Sequence, residues 1–197
     1  MPRITAATVP EHVAQQEAAV IAAARELFKT RGVREVTLAD IAAEVGLRRT
    51  SLYRYFPTKA HILQRWFDLT MAPLIEASRV AVQQPGTTSE RFDRWLDVQV
   101  TFLVDDEHAS LLRASQQSDD LPEDVRQNMA TQHRALYATL EPILLEPAGG
   151  DVALSRLRGQ LIAGLVRTAG DLLHGGAKAP AVRAELSRSA HAVADLH

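Results

Sequence analysis

The sequence has no cysteine, which excludes disulfides and thiolate metal sites at the outset. It has no apolar run near the ~18 residues needed to cross a bilayer. Its opening stretch, Met1 to Pro10, holds no apolar block of signal-peptide length. A soluble, cytoplasmic protein with no membrane partner is expected. There is no phosphate-binding glycine loop and no nucleophile-plus-base spacing. No enzyme, metal or cofactor is expected. Charge of one sign is also lacking: the net is −2, which on its face disfavours a polyanion partner.

The distribution of charge says otherwise. Residues 1–70 hold ten Lys/Arg and seven Asp/Glu, whereas residues 71–197 hold twelve and seventeen. Between Arg25 and Arg65 there are nine basic residues and four acidic ones. A basic head on an acidic body points to a head that meets an anion.

Ala, Leu, Glu, Arg and Gln dominate, and all favour helix. No stretch alternates with period two. The fold expected is all-α with about nine helices: an N-terminal three-helix domain over residues 11–58, and a helical bundle over 59–197. Turn signals divide the chain into helices at 10–31, 58–83, 89–106, 108–118, 122–145, 151–174 and 179–196, with two short ones between 37 and 56. Pro73 is expected to bend the second long helix, and Pro142 marks a possible interruption in the 122–145 segment.

The decisive stretch starts at Thr37. Thr37-Leu38-Ala39-Asp40 has the form of a capping box with Asp in place of Glu or Gln. Leu38, Ile41, Ala42 and Val45 then line one helical face, and Gly46 falls where the chain needs a positive φ. Ala42, Gly46 and Leu52 have helix-turn-helix spacing: a small residue where helices cross, glycine at the turn, and a branched anchor on the second helix. That second helix exposes Arg48, Arg49, Thr50, Ser51 and Tyr53. Arginine can bond guanine bidentately, and hydroxyls suit several base edges. Tyr53, Arg54 and Tyr55 can reach phosphate oxygens. Lys59, at the start of the next helix, adds charge where free N–H groups attract phosphate. Thr37 has two readings, cap alone or cap plus phosphate contact. Phe56 reads as core.

The segment from Thr37 to Leu47, continued by Thr50-Ser51-Leu52-Tyr53-Arg54-Tyr55-Phe56-Pro57-Thr58-Lys59, resembles the DNA-binding domain of the TetR family of bacterial regulators. The resemblance extends back through Leu27-Phe28 and Gly32 and covers roughly residues 12–65. It implies an all-helical homodimer whose third helix enters the major groove of double-stranded DNA. It also aligns Tyr53, Tyr55 and Lys59 with phosphate contacts, and Arg49, Thr50 and Ser51 with base-proximal positions. Two departures stand out. Arg48 replaces a usual Ser or Thr, removing an N-cap and adding charge. Thr50 stands where Gly or Ala is frequent.

Beyond the motif, the 151–174 segment carries a wide apolar stripe that includes Leu154, Leu157, Leu161, Leu165 and Leu172, with Gly159, Ala163, Gly164 and Gly170 permitting close helix approach. This helix and the last one suit a dimer interface, with packing inside one subunit as the alternative. An effector site needs apolar walls and a few polar groups without partners of their own. The candidates are Trp66, Trp95, Gln99, Phe102, Gln116, Met129, His133 and Tyr137. Gln99 and His133 interrupt apolar stripes, so each either meets a ligand or pairs within the bundle. The effector expected is an apolar or amphiphilic small molecule. The function expected is a ligand-responsive repressor that binds a palindromic operator as a homodimer. The alternatives are an activator, and a helical small-molecule-binding protein without a repressor role.

Overall fold

The computed structural model describes residues 9–105, 108, 110, 111, 114 and 121–196. Among the described residues the chain is all helix and turn: α1 (Val9–Arg31), α2 (Leu38–Glu44), α3 (Arg49–Leu52), α4 (Lys59–Gln83), α5 (Thr88–Leu103), α6 (Glu123–Ala138), α7 (Glu141–Leu144), α8 (Val152–His174) and α9 (Ala179–Ala194). His108, Ser110, Leu111 and Ala114 are helical as well. Among the described residues no helix is long and apolar enough to cross a membrane.

Local chemistry explains most ends. Thr87 caps α5 through a reciprocal box with Glu90, so the helix starts one residue before Ser89, the start expected from sequence. It ends at Leu103 rather than near Asp106. Asp151 caps α8 by accepting from the amides of Ala153 and Leu154. The segment expected to run from 122 to 145 divides into α6 and α7, with Pro142 in the first turn of α7. Proline suits that place because it has no N–H to leave unpaired. Pro73 lies inside α4.

The chain forms two compact units. The first comprises Met1–Phe67 with Ser110–Arg126, and the second Asp68–Ala109 with Gln127–His197. This division does not follow the 58/59 line drawn from sequence. The first turns of α4 belong with α1: Arg65 Nε donates to Glu17 Oε1 at 2.8 Å, and the Arg25 guanidinium lies 5.5 Å from the Trp66 ring centre.

In the first unit Val20, Ala24, Ile41, Leu52, Ile62 and Leu63 are fully or almost fully buried. In the second, α8 packs on α9, α5 and α7. A contiguous apolar core includes Phe92, Trp95, Leu140, Ile143, Ile162 and Ala190. Glycine allows one close approach there: a Cβ on Gly170 of α8 would come within 3.0 Å of Leu103 Cδ2 on α5.

Candidate nucleic-acid interface

The interface is built from the α1–α2 loop, α2, the turn and α3. Thr37 and Asp40 form a complete capping box: the Thr37 hydroxyl accepts from the Asp40 amide, and the Asp40 carboxylate accepts from the Thr37 amide at 2.8 Å. The hydroxyl also donates to Asp40 Oδ2 at 2.6 Å. These bonds, with Arg31 3.4 Å away, hold the Asp40 carboxyl below the usual carboxylate range. Thr37 is exposed, but its proton is already given to Asp40.

Helix α2 ends in a Schellman turn, in which Leu47 N–H reaches Ala42 O at 2.8 Å and Gly46 N–H reaches Ala43 O at 3.1 Å. Gly46 has φ +68, and the space around its Cα is open. Glycine is required here by the backbone angle and not by crowding. Ala42 is buried at the crossing and Leu52 is completely buried beneath α3, as the motif spacing anticipates.

Helix α3 therefore presents one face outward. Arg48, Arg49, Thr50 and Tyr53 are exposed, and Ser51 and Tyr55 are half-buried. Arg48 occupies the N-cap without a side-chain cap bond, the consequence of replacing Ser or Thr. Sequence reading missed a link on this face. Arg49 donates through Nε (3.2 Å) and Nη2 (2.8 Å) to the Tyr53 hydroxyl, with its guanidinium 5.5 Å from the ring centre. The i, i+4 spacing was the available signal. Phe56 is buried, in keeping with a core role.

Lys59 is placed differently from a plain phosphate contact. Its ammonium donates to three backbone carbonyls of the α1–α2 loop: Val33 at 2.6 Å, Val36 at 3.0 Å and Arg34 at 3.2 Å. An ammonium has three protons, so all its donors are engaged. Thr58 Oγ1 and His61 Nδ1 lie 2.9 Å apart, and His61 Nε2 lies 3.3 Å from Asp124 Oδ2.

Residues 20–65 match the family model described as bacterial regulatory proteins, tetR family. This segment is a TetR-type DNA-binding domain by that match. A stretch of 102 residues is 28% identical to the HTH-type transcriptional regulator EthR of Mycobacterium tuberculosis, covering 51% of this chain and 47% of that protein. Another of 58 residues is 40% identical to the regulator TtgR of Pseudomonas putida, covering 29% and 28%. The chain thus spans about half the length, or less, of these relatives. Among solved structures, a TetR-family regulator from Streptomyces coelicolor superposes with a TM-score of 0.73 at 16% identity, covering 92% of this chain and 95% of that one. FadR of Bacillus subtilis in complex with stearoyl-CoA gives 0.67 at 20%, covering 90% and 95%. At such identities these two neighbours establish the TetR-type helical fold.

The residues expected from sequence to hold an effector fall in both units. Trp66 belongs to the first unit, under Arg25. Gln116 lies outside the described residues. In the second unit Gln99 is buried and donates to Ser78 Oγ at 2.9 Å, and Trp95 Nε1 donates to Thr139 Oγ1 at 2.8 Å. Trp95 and Tyr137 pack with ring centres 6.0 Å apart. Burial pushes the Tyr137 phenol up to about 12, against the pull of Arg167. Met129 is buried and His133 exposed. Phe102 packs on His108, with ring centres 3.4 Å apart.

His108, absent from the sequence-based candidates, is only 8% exposed. Burial, with His174 and His133 nearby and Asp105 opposing them, lowers its pKa from 6.5 to about 4. Between those values the unfolded chain binds a proton that the folded chain does not. The stability contribution is therefore complete above about pH 6.5 and is lost as pH falls toward 4. The loss expected from this group is on the order of 2–3 kcal/mol. Urea unfolding at pH 7 and pH 4.5 should show it in the parent chain and much less of it in His108→Leu. An equal loss in both would assign the acid sensitivity elsewhere.

Proposed function

We propose that this chain is a ligand-responsive transcriptional repressor of the TetR family that binds a near-palindromic DNA operator as a homodimer. The observation that carries the reading is the exposed α3 face, Arg48, Arg49, Thr50 and Tyr53, held behind the Schellman turn inside the segment that matches the family model. Thr37, Ser51 and Tyr55 flank that face, and Lys59 supports it through the loop carbonyls. Arginine and hydroxyl side chains on a groove-sized helix supply base and phosphate bonds.

A homodimer is supported by α8. Leu157, Leu161 and Leu172 are each about half exposed, and Leu154 is 36% exposed. Leu154, Leu157, Leu161 and Gly164 fall at three- and four-residue steps along one side, Leu172 lies two such steps beyond Gly164, and the space beside Gly164 is open. Such a stripe on a 23-residue helix suits a self-complementary two-fold contact. An effector in the helical body would favour a dimer whose recognition helices no longer match the operator. The stearoyl-CoA complex of Bacillus subtilis FadR, which shares the fold, supports a small-molecule effector.

The test is a gel shift with the DNA upstream of the chain's own gene. Specific, competitor-resistant binding is expected, and Arg49→Ala should weaken it by about 1–3 kcal/mol while relaxing base preference at one position of each half-site. Unchanged affinity and preference would remove Arg49 from the reading set. Weak, salt-sensitive binding by the parent chain would favour a helical small-molecule carrier.

A further inference from the structure

Among the described residues of the second unit, two buried imidazole nitrogens have no hydrogen-bond partner, His108 Nδ1 and His174 Nε2. An unpaired polar atom in such a place is costly, and each one calls for an occupant. The fold draws these two residues toward the same end of the bundle. Gly170 brings the last turns of α8 against Leu103 at the end of α5. His174 lies one turn beyond Gly170, and Phe102, beside Leu103, stacks on His108. The electrostatic effect of His174 on His108 agrees with that proximity.

The surrounding chemistry is rich in donors. Arg167 lies two turns before His174 on α8 and acts electrostatically on the Tyr137 phenol of α6. The Asp105 carboxylate already accepts the His108 amide at 3.1 Å. Neutral imidazoles can each turn a ring N–H toward an oxygen, and guanidinium and phenol add further donors. Phe102, Leu103 and Tyr137 supply apolar and aromatic surface beside them.

We infer that His108 and His174 hold the carboxylate of an apolar organic acid, with Arg167 and Tyr137 at its rim. Two imidazole N–H groups matched to two carboxylate oxygens would satisfy both unpartnered nitrogens at once. Charge-assisted bonds of this kind are about twice as strong as neutral ones. The inference rests on the proposed function in one respect only: it makes this acid the effector.

Calorimetric titration of the full chain with octanoate, octanol and octylammonium isolates the head group, because the three share one tail. Octanoate should bind about ten-fold or more tighter than octanol, and octylammonium weakest. His108→Leu and His174→Leu should each bring octanoate and octanol to within about three-fold of each other. Arg167→Gln, on the exposed side of α8, should reduce the preference without disturbing the fold, and circular dichroism checks helicity in all three variants. Equal binding of the three probes, no octanoate binding, or an undiminished preference in folded His174→Leu and Arg167→Gln would each overturn the inference. A gel shift on the same preparations separates the two ideas. DNA binding without octanoate binding removes the acid site and leaves the regulator. Octanoate binding that leaves a DNA complex intact keeps the site and removes its effector role.

Discussion

A chain carrying Leu157→Glu together with Leu161→Glu will run as a monomer in size-exclusion chromatography with light scattering, and will lose operator affinity by about 10²-fold or more. Both leucines are more than half exposed within a single chain, so the fold of that chain does not depend on them. Placed across a two-fold axis, four glutamates would be forced together in an apolar contact, where unpaired charge is strongly penalised. Two recognition helices joined in one dimer would bind two half-sites with an effective concentration that separate monomers lack, and avidity of this kind reaches about 10²- to 10⁴-fold. Helicity should be retained. A double variant that remains dimeric would move the interface off this face of α8.

Replacing Lys59 by methionine will destabilise the DNA-binding unit by about 2–3 kcal/mol and weaken binding to every duplex alike. The aliphatic stem is kept, so the loss isolates the ammonium. Val33, Arg34 and Val36 would be left with carbonyls that had accepted charge-assisted bonds, in a loop flanked by the buried side chains of Val33 and Val36. That loop leads directly into the Thr37 cap of α2. Loosening it disturbs the placement of α2 and α3 with no DNA present. Denaturant unfolding of free protein reads the first effect, and the dependence of affinity on salt separates two mechanisms. A strut leaves the salt slope nearly unchanged, whereas a lost phosphate contact lowers it by about one while free-protein stability is preserved.

The contrast between Lys59 and Gly46 explains what was legible in the sequence. Gly46, Thr37 and Asp40 act on atoms a few residues away, so their roles follow from local spacing. The partners of Lys59 lie 23 to 26 residues away, and a lysine beside a helix start reads equally well as a phosphate ligand. Gln99 behaves similarly: its interruption of an apolar stripe was visible, but its partner Ser78 sits on another helix. The start of α5 moved because Thr87, Thr88 and Ser89 are all competent caps, and the Glu90 carboxylate selects Thr87. His108 and His174 carried no signal, because a single histidine on a helix says nothing about whether its ring nitrogens find partners. The helix-turn-helix was readable because its rules are local. The proposed acid site was not, because its residues come from separate helices.

The central claim is that a dimer reads duplex DNA through α3. Selection from a random-sequence duplex library by the purified full chain, followed by anisotropy titration of the enriched sequence, tests it most directly. An inverted repeat should emerge, with half-site centres about 34–36 Å apart or a multiple of that, and Arg49→Ala should erase preference at one position in each half. Enrichment of no sequence above background, or of a single unrepeated site that Arg49→Ala leaves unaffected, would contradict it.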